Sequence, residues 1–527
     1  MSTPAAAPPA APGTRVETGW EQLTRRTMAH PAWARALAWL TPALITLLAA
    51  VLRLTNLGHP HEIMFDETYY VKDAWSLWNL GYEATWADGA DAQLPNGDDS
   101  AMGTTGSYVV HPPLGKWIIA LGMALTGPGS SAGWRLTTAL LGSLTVLVLY
   151  LLALQLTRSR VLAAIAAGLL AIDGLGIVLS RIALLDGILT FFVLLGFLFA
   201  LLDRRRSLPL LAARWEQRRL TDAGGAPPRL WGPVLWSRPW LIAAGVSLGA
   251  ASAVKWSGLY ALAVIGLYAV ATDALARRRA AVPLWPSDAV LRQGPVSFVL
   301  LVGPALLVYL TSWTGWLSTT GGYDRGASPD PLIALWDYHS SMYGFHVGLS
   351  SPHPYASPAW QWPLLLRPTA IWVGDDPSGC GTDHCIAVIS AVPNPLIWYG
   401  GMLAALYLLY RVGRAILERR SIDAAQALPL IGLLATYVPW LLVPNRTIFQ
   451  FYTVVMAPFV ILALVMAMRE IAGRPADPLP RRQAGQRTLT VFVVVVAGVS
   501  MFFYPVWTGM SVPYEFWLIH NWLPGWI

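Results

Sequence analysis

The chain has little charge, few cysteines and almost no lysine. Only 12% of its 527 residues are charged, about half the level of an ordinary soluble domain, while 55% are hydrophobic. A soluble core cannot hide so much apolar surface, so an ordinary cytosolic enzyme and a disordered chain are both excluded. Two cysteines exclude a disulfide-rich secreted module and a cysteine-based metal cluster. No P-loop or Rossmann glycine pattern stands in a soluble segment, and no internal repeat is evident. What remains is an all-α polytopic membrane protein.

Apolar runs long enough to span recur near 36–56, 134–156, 161–180, 186–202, 239–254, 257–274, 296–316, 394–410, 427–443, 448–468 and 489–508. These predict eleven transmembrane helices. Arginines crowd alternate connections: the N-terminal tail, the turn at Arg158 and Arg160, and the segments 203–238, 275–293, 411–426 and 469–488. By the positive-inside rule these face the cytoplasm. The net charge of +7 is therefore a topology signal, and no nucleic-acid partner is expected. The other basic residues (Arg53, Lys72, Lys116, Arg135, Arg181, Lys255, Arg325, Arg367 and Arg446) fall on the opposite side or at span ends facing it. The expected organisation is a disordered cytoplasmic tail (1–35), an N-terminal transmembrane module (36–316) with a large outer loop (57–133), a second outer loop (317–393), and a C-terminal transmembrane module (394–527). The N-terminus is expected inside and the C-terminus outside.

Two large outer loops are more than an anchor needs. The second holds Cys380 and Cys385; in an oxidising compartment a local disulfide is expected, two free thiols being the alternative. The first opens with Phe65-Asp66-Glu67-Thr68-Tyr69-Tyr70, adjacent carboxylates that are unremarkable if solvated. It continues with His111-Pro112-Pro113-Leu114-Gly115-Lys116-Trp117, where prolines precede an apolar stretch too short to span. That stretch reads as an interfacial helix, with Lys116 either at a site or snorkelling to water. Arg135, Arg181, Asp186, Lys255-Trp256 and Arg446 sit at span ends, where charges are costly and need partners or a function. Arg181 and Asp186 have the option of pairing with each other. All converge on the outer leaflet.

Such a cluster has a chemical use. Cations can hold a lipid-linked phosphate while a carboxylate accepts a proton. Glycosyl transfer from a polyprenyl-phosphate sugar needs both: electrostatic stabilisation of the leaving phosphate and one base for a hydroxyl acceptor.

Together FDETYY (65–70), HPPLGKW (111–117), Trp134-Arg135, RIALLDGILTFF (181–192), SAVKWSGLY (252–260), WPLLLRP (362–368) and NRTIFQFY (445–452) resemble, in order, the protein O-mannosyltransferases. These are membrane glycosyltransferases of the GT-C fold and of glycosyltransferase family 39. The arginine-rich, lysine-poor composition resembles actinobacterial members. The second loop has no room for the β-trefoil MIR domain of eukaryotic relatives. The resemblance implies transfer of mannose, with inversion, from polyprenyl-phosphate-mannose to Ser or Thr of secreted or membrane proteins at the cell membrane, with the Sec translocon as a candidate partner. It implies Asp66 as base and Glu67 as a helper. Arg135, Lys255 and Arg446 are then expected to bind the donor phosphate. His111, Lys116, Trp256, Asp186, Arg181, Arg367 and Tyr452 are expected to shape the site. No cofactor and no divalent metal are expected.

Two rival readings exist. One is another GT-C glycosyltransferase acting on glycan or lipid; Trp336-Asp337-Tyr338 faintly resembles an oligosaccharyltransferase motif. The other is a transporter, against which the one-sided charges and large loops argue.

Overall fold

The computed structural model describes residues 16–222, 229–375 and 377–527. Helices of ten residues or more are numbered here. The chain opens with α1 (Gly19–Ala29) and α2 (Pro31–Leu54). The first large loop contains α3 (Glu67–Leu80), the strands β1 (Ala84–Trp86) and β2 (Met102–Gly106), and α4 (Leu114–Thr126). Then come α5 (Ser131–Thr157), α6 (Arg160–Ala171), α7 (Leu185–Asp222), α8 (Pro239–Val254), α9 (Gly258–Arg279) and α10 (Gly294–Ser312). The second large loop holds α11 (Pro331–Gly348) and the short strands β3 (Thr369–Val373), β4 (Cys385–Ile386) and β5 (Val388–Ala391). The chain closes with α12 (Pro395–Leu417), α13 (Ala424–Thr436), α14 (Ala457–Ile471), α15 (Leu479–Thr508) and β6 (Val512–Pro513).

All eleven expected spans contain helix, but among the described residues seven stretches are long and apolar enough to cross a membrane: α2, α5, α7, α9, Trp285–Ser312 (which includes α10), α12 and α15. The helices in the other expected spans, α6, α8, α13 and α14, have 12, 16, 13 and 15 residues. Polar and proline breaks shorten them. The span expected at 161–180 stops at Ala171 because Asp173 turns its carboxylate to cap the next short turn, accepting from Gly176 N at 3.1 Å, and also accepts from Asn394 N at 2.9 Å. The span expected at 448–468 begins as a 3₁₀ turn, Gln450–Val455, and Pro458 sits in the first turn of α14. That irregular start delivers Phe449, Phe451 and Tyr452 to a loop face rather than to a helix side.

The tail differs too. Residues 1–15 lie outside the described residues, but the expected disorder does not extend to residue 35. Thr18 and Glu21 form a reciprocal capping box that starts α1 (Glu21 N to Thr18 Oγ1 3.2 Å, Thr18 N to Glu21 Oε2 3.0 Å).

Helix packing runs α2 on α5, α5 on α7, α7 on α8 and α8 on α10, with α12 and α13 on α14. Small residues set the closest approach. A Cβ on Gly245 would lie 2.2 Å from the Leu301 carbonyl oxygen, and one on Gly249 would lie 2.5 Å from Ala305 Cα. This small-xxx-small face lets α8 and α10 touch along their backbones. On the arginine-rich face, Arg238 binds Asp203 and Asp273 (Nη1 to Oδ2 2.7 Å), and Arg277 binds Asp288 (2.6 Å). These arginines are buried and paired, so they do more than mark topology.

The two large loops form one unit on the arginine-poor face. Tyr82 and Val109 of the first share a buried cluster with Leu335, Tyr338 and Met342 of the second and with Trp313 and Trp316, which follow α10. The Tyr338 hydroxyl bonds both the N–H and the C=O of Val109, at 2.9 Å each. The Cys380–Cys385 disulfide is formed, and Cys385 pairs with Pro513 across β4 and β6.

Candidate active site

Asp66 is delivered by a strained turn. Phe65 has φ 52°, a region unfavourable to a bulky residue. Its ring is held edge-on by Phe451 at 5.5 Å and Phe449 at 6.5 Å. Asp66 then occupies the N-cap position of α3 without capping it. Its backbone is α-helical (φ −69°, ψ −3°), whereas a capping side chain needs an extended backbone. The carboxylate is left without a hydrogen bond or ion pair among the described residues. Burial pushes its pKa up to about 6; Lys255 pulls it down and Asp186 pushes it up. A base in that range is suited to neutral pH.

Glu67, one residue on, points the other way and is closed off. Arg135 grips it with two parallel bonds of 2.8 Å. Ala183 N and Met64 N donate to its two oxygens at 2.9 and 3.2 Å. Both residues are wholly buried, and Arg135 also donates to the carbonyls of Leu57, Pro60 and Glu62. The expected roles of Arg135 as a phosphate ligand and Glu67 as a helper at the reacting atoms are therefore corrected. All the nitrogens of Arg135 are already engaged, and together the pair fixes the turn that carries Asp66.

Arg181 and Asp186 do not pair with each other. Arg181 donates to the carbonyls of Arg53, Thr55 and Asn56 at 3.0, 2.7 and 3.0 Å. It thus satisfies the orphan acceptors at the end of α2 and lies outside the cluster of free groups. Asp186, in the first turn of α7, binds Lys255 at the end of α8 (Nζ to Oδ1 2.9 Å, to Oδ2 3.0 Å). The Lys255 ammonium also lies 4.1 Å from the centre of the Tyr452 ring.

Arg446 completes the cationic side. Its guanidinium lies over Trp440 (5.5 Å), Nη2 lies 3.0 Å from His346 Nδ1, and Nε is buried with no partner. Among the described residues it makes no ion pair with a carboxylate, unlike Lys255 and Arg135. His111 lies beneath, stacked on His346 (5.3 Å) and near Tyr70 (6.2 Å). Burial, then Lys255 and the other nearby cations, hold the His111 pKa well below the usual histidine range, so it is neutral. Trp256 donates to the Tyr309 hydroxyl at 2.9 Å and packs on His346 and His339. From Asp186 and Tyr452 an apolar cleft runs between α7, α9 and α13, lined by Leu189, Val193, Ala261, Ala435 and Val455.

Two expected site residues lie elsewhere. Lys116 does not snorkel: it is buried against Glu83, with Asp73 at 3.8 Å, and reaches the site only by donating to the His111 carbonyl at 3.2 Å. Arg367 donates to the carbonyls of Pro354, Gly525 and Ile527 and ties the second loop to the end of the chain. His346, Trp440 and Tyr309 went unread in the sequence. None belongs to a charged span end or a motif, and only the folding of α11 over the cluster brings His346 in. Trp336 is exposed and Tyr338 is spent on Val109, so this tripeptide contributes no group to the cluster.

Residues 43–217 and 235–283 match the family described as dolichyl-phosphate-mannose-protein mannosyltransferase. Residues 332–526 match the C-terminal four-helix membrane region of protein O-mannosyltransferase. The polyprenol-phosphate-mannose–protein mannosyltransferase of Mycolicibacterium smegmatis is 33% identical over 515 residues, covering 93% of each chain. The Mycobacterium tuberculosis protein of the same name is 34% identical over 514 residues, 93% of this chain and 92% of that one. Among solved structures, the S. cerevisiae protein O-mannosyltransferase Pmt1-Pmt2 complex bound to the sugar donor superposes with a TM-score of 0.69 at 15% identity, over 93% of this chain and 92% of that one.

Proposed function

The chain belongs to the dolichyl-phosphate-mannose-protein mannosyltransferase family, and from that membership we propose that it transfers mannose from a polyprenyl-phosphate-mannose donor to Ser or Thr hydroxyls of exported proteins. It is a multi-span membrane glycosyltransferase with the GT-C fold. The observation that carries the mechanism is the unpartnered Asp66 carboxylate standing beside Lys255, with the unpaired guanidinium of Arg446 close by. Asp66 takes the acceptor hydroxyl proton as its oxygen bonds to the anomeric carbon. The bond from that carbon to the phosphate oxygen breaks in the same displacement, inverting the centre. The phosphate gains a negative charge as it leaves. Arg446, with its idle Nε, and Lys255, with a donor beyond the two given to Asp186, neutralise that charge in place of a general acid. Asp186 holds Lys255 in position.

The arginine-poor face carrying the cluster is the extracytoplasmic face of the plasma membrane in this reading, with the N-terminus cytoplasmic and the C-terminus outside. Acceptors arrive unfolded, which makes proximity to the Sec translocon reasonable. No divalent cation is expected to be required, because Lys255 and Arg446 supply the charge that would neutralise the leaving phosphate.

The test uses purified protein in detergent, polyprenyl-phosphate-[radiolabelled mannose] and a Ser/Thr-rich peptide, with and without chelator. Label on the peptide hydroxyl, undiminished by chelation, is expected for wild type. Asp66→Asn is expected to lose roughly 10²–10⁴ in rate, the usual worth of a positioned base. Robust transfer by the variant would remove Asp66 as base, and abolition by chelator would overturn the metal-free reading. Label appearing instead on a lipid or glycan would move the protein to another class of GT-C enzyme.

A further inference from the structure

His346 lies in neither a motif nor a span end, yet it touches three separate parts of the site. It is half-buried, on the side of α11 that carries the buried residues Ala334, Leu335, Tyr338 and Met342. Its Nε2 lies 2.7 Å from the Val110 carbonyl, directly before His111. Its Nδ1 lies 3.0 Å from Arg446 Nη2. Its ring packs against His111 at 5.3 Å and against Trp256, the neighbour of Lys255, at 5.5 Å.

Those contacts dictate its chemistry. A guanidinium can only donate and a carbonyl can only accept. The imidazole therefore carries its proton on Nε2 and offers a lone pair at Nδ1. Protonating Nδ1 would set two N–H groups against each other. The surroundings agree: burial first, then the Arg446 and Lys255 cations, hold the His346 pKa down to about 4, against the opposing pull of the Val110 carbonyl. The other titratable ring against it, His111, is also neutral. Arg446 itself has no carboxylate to aim it and lies in a loop beside the flat face of Trp440. An arginine left free on one side and anchored on the other is ready to meet a phosphate without first giving up an ion pair.

We infer that His346, from the second large loop, is a positioning residue of the donor site: its Nδ1 lone pair holds the Arg446 guanidinium at the place of the leaving phosphate. The inference rests on the donor-site reading of Arg446. It also assigns a task to the second loop, which here carries an inward-facing helix over the donor site.

The experiment measures the donor KM, at saturating peptide, for wild type, His346→Ala, His346→Asn and His346→Phe, each alone and with Arg446→Ala. Asn puts an amide oxygen near the place of Nδ1. Phe keeps the ring packed on His111 and Trp256 but has no acceptor. The expected result for Ala and Phe is a donor KM raised about ten- to one-hundred-fold, the usual worth of a hydrogen bond to a charged group. Asn is expected to recover most of the loss, with the peptide KM unchanged throughout. In the Arg446→Ala background the His346 substitutions are expected to add nothing. Rescue by Phe and not by Asn would show that the ring only fills space, and additive losses would show that His346 acts elsewhere; either overturns the inference while leaving the donor site standing. An Arg446→Ala donor KM equal to wild type would instead bring down the donor-site reading, and this inference with it. Unfolding midpoints in detergent are recorded for each variant, and if Ala does not fold, the Asn and Phe pair still decides.

Discussion

Two adjacent carboxylates, Asp66 and Glu67, part company because the turn ahead of α3 sends them in opposite directions. Glu67 enters the first turn of α3 and is neutralised by Arg135 and two backbone N–H groups. Asp66 stays outside and unpaired. The pair therefore yields two different predictions. Glu67→Ala leaves Arg135 charged, buried and unmatched, a change that costs about 3–5 kcal/mol. A large fall in the thermal midpoint is expected, while Asp66→Asn leaves the midpoint near wild type. Lost turnover at an unchanged midpoint in Glu67→Ala would return Glu67 to the chemistry. Asp66 sets the pH dependence. Its pKa is raised to about 6, mainly by burial, and only the ionised form accepts a proton. Log kcat/KM should rise with unit slope as pH increases up to about 6 and then level off. Asp73 is another carboxylate in range, pushed up to about 7 by burial and by Glu83 against the pull of Lys116; an Asp73→Asn variant that keeps the acid limb removes Asp73 as its source. A limb near pH 4, where free carboxylates titrate, would reject the raised pKa.

At the scale of elements, the distance between Asp186 and Lys255 is set by how closely helices pass. Lys255 caps α8, which lies on α7 with its Leu248 side chain where a Cβ on Gly196 would fall, 2.6 Å away. On its other side α8 rests on α10 through Gly245 and Gly249. Gly249→Val has no room. It should force α8 from α10, shift Lys255 and lower both the unfolding midpoint and the transfer rate. Gly303→Val, on α10 with nothing within 4 Å of the added carbon, is the matched control and should be tolerated. Equal behaviour of the two variants would show that the close crossing does not govern the site. The expected spans at 161–180 and 448–468 mark the limit of reading elements from hydropathy. Hydropathy registers apolar content over a window, whereas Asp173 and Pro458 act on single backbone positions. Both breaks fall where the chain serves the site: the first precedes the turn that supplies Ala183 N to Glu67, and the second brings Phe451 against Phe65 and Tyr452 against Lys255.

In the whole molecule, the two large loops act together. The aromatic cluster of Tyr82, Trp313, Trp316 and Tyr338 joins them over the span ends, and the bonds from Tyr338 to Val109 place the segment that carries His111. Asp66 from the first loop, Lys255 from the end of α8 and Arg446 from the start of the α14 region then come to one place, although 380 residues separate the first from the last. The arginine-rich face is fastened separately through Arg238 and Arg277, so the two faces are braced independently.

The sequence alone determined the membrane class, the sidedness of its charges and the set of charged span ends, because hydropathy and charge are sums over residues that need no partner. Motif order determined the family by the same kind of reading. Only the tertiary structure decided which charges are spent and which are free. Arg135, Arg181 and Arg446 are the same residue type in similar sequence settings. One is locked on Glu67, one caps α2, and one is steadied by a histidine 100 residues away. Partner choice depends on distance and direction in space, and these arise only when the helices pack and the loops close over them.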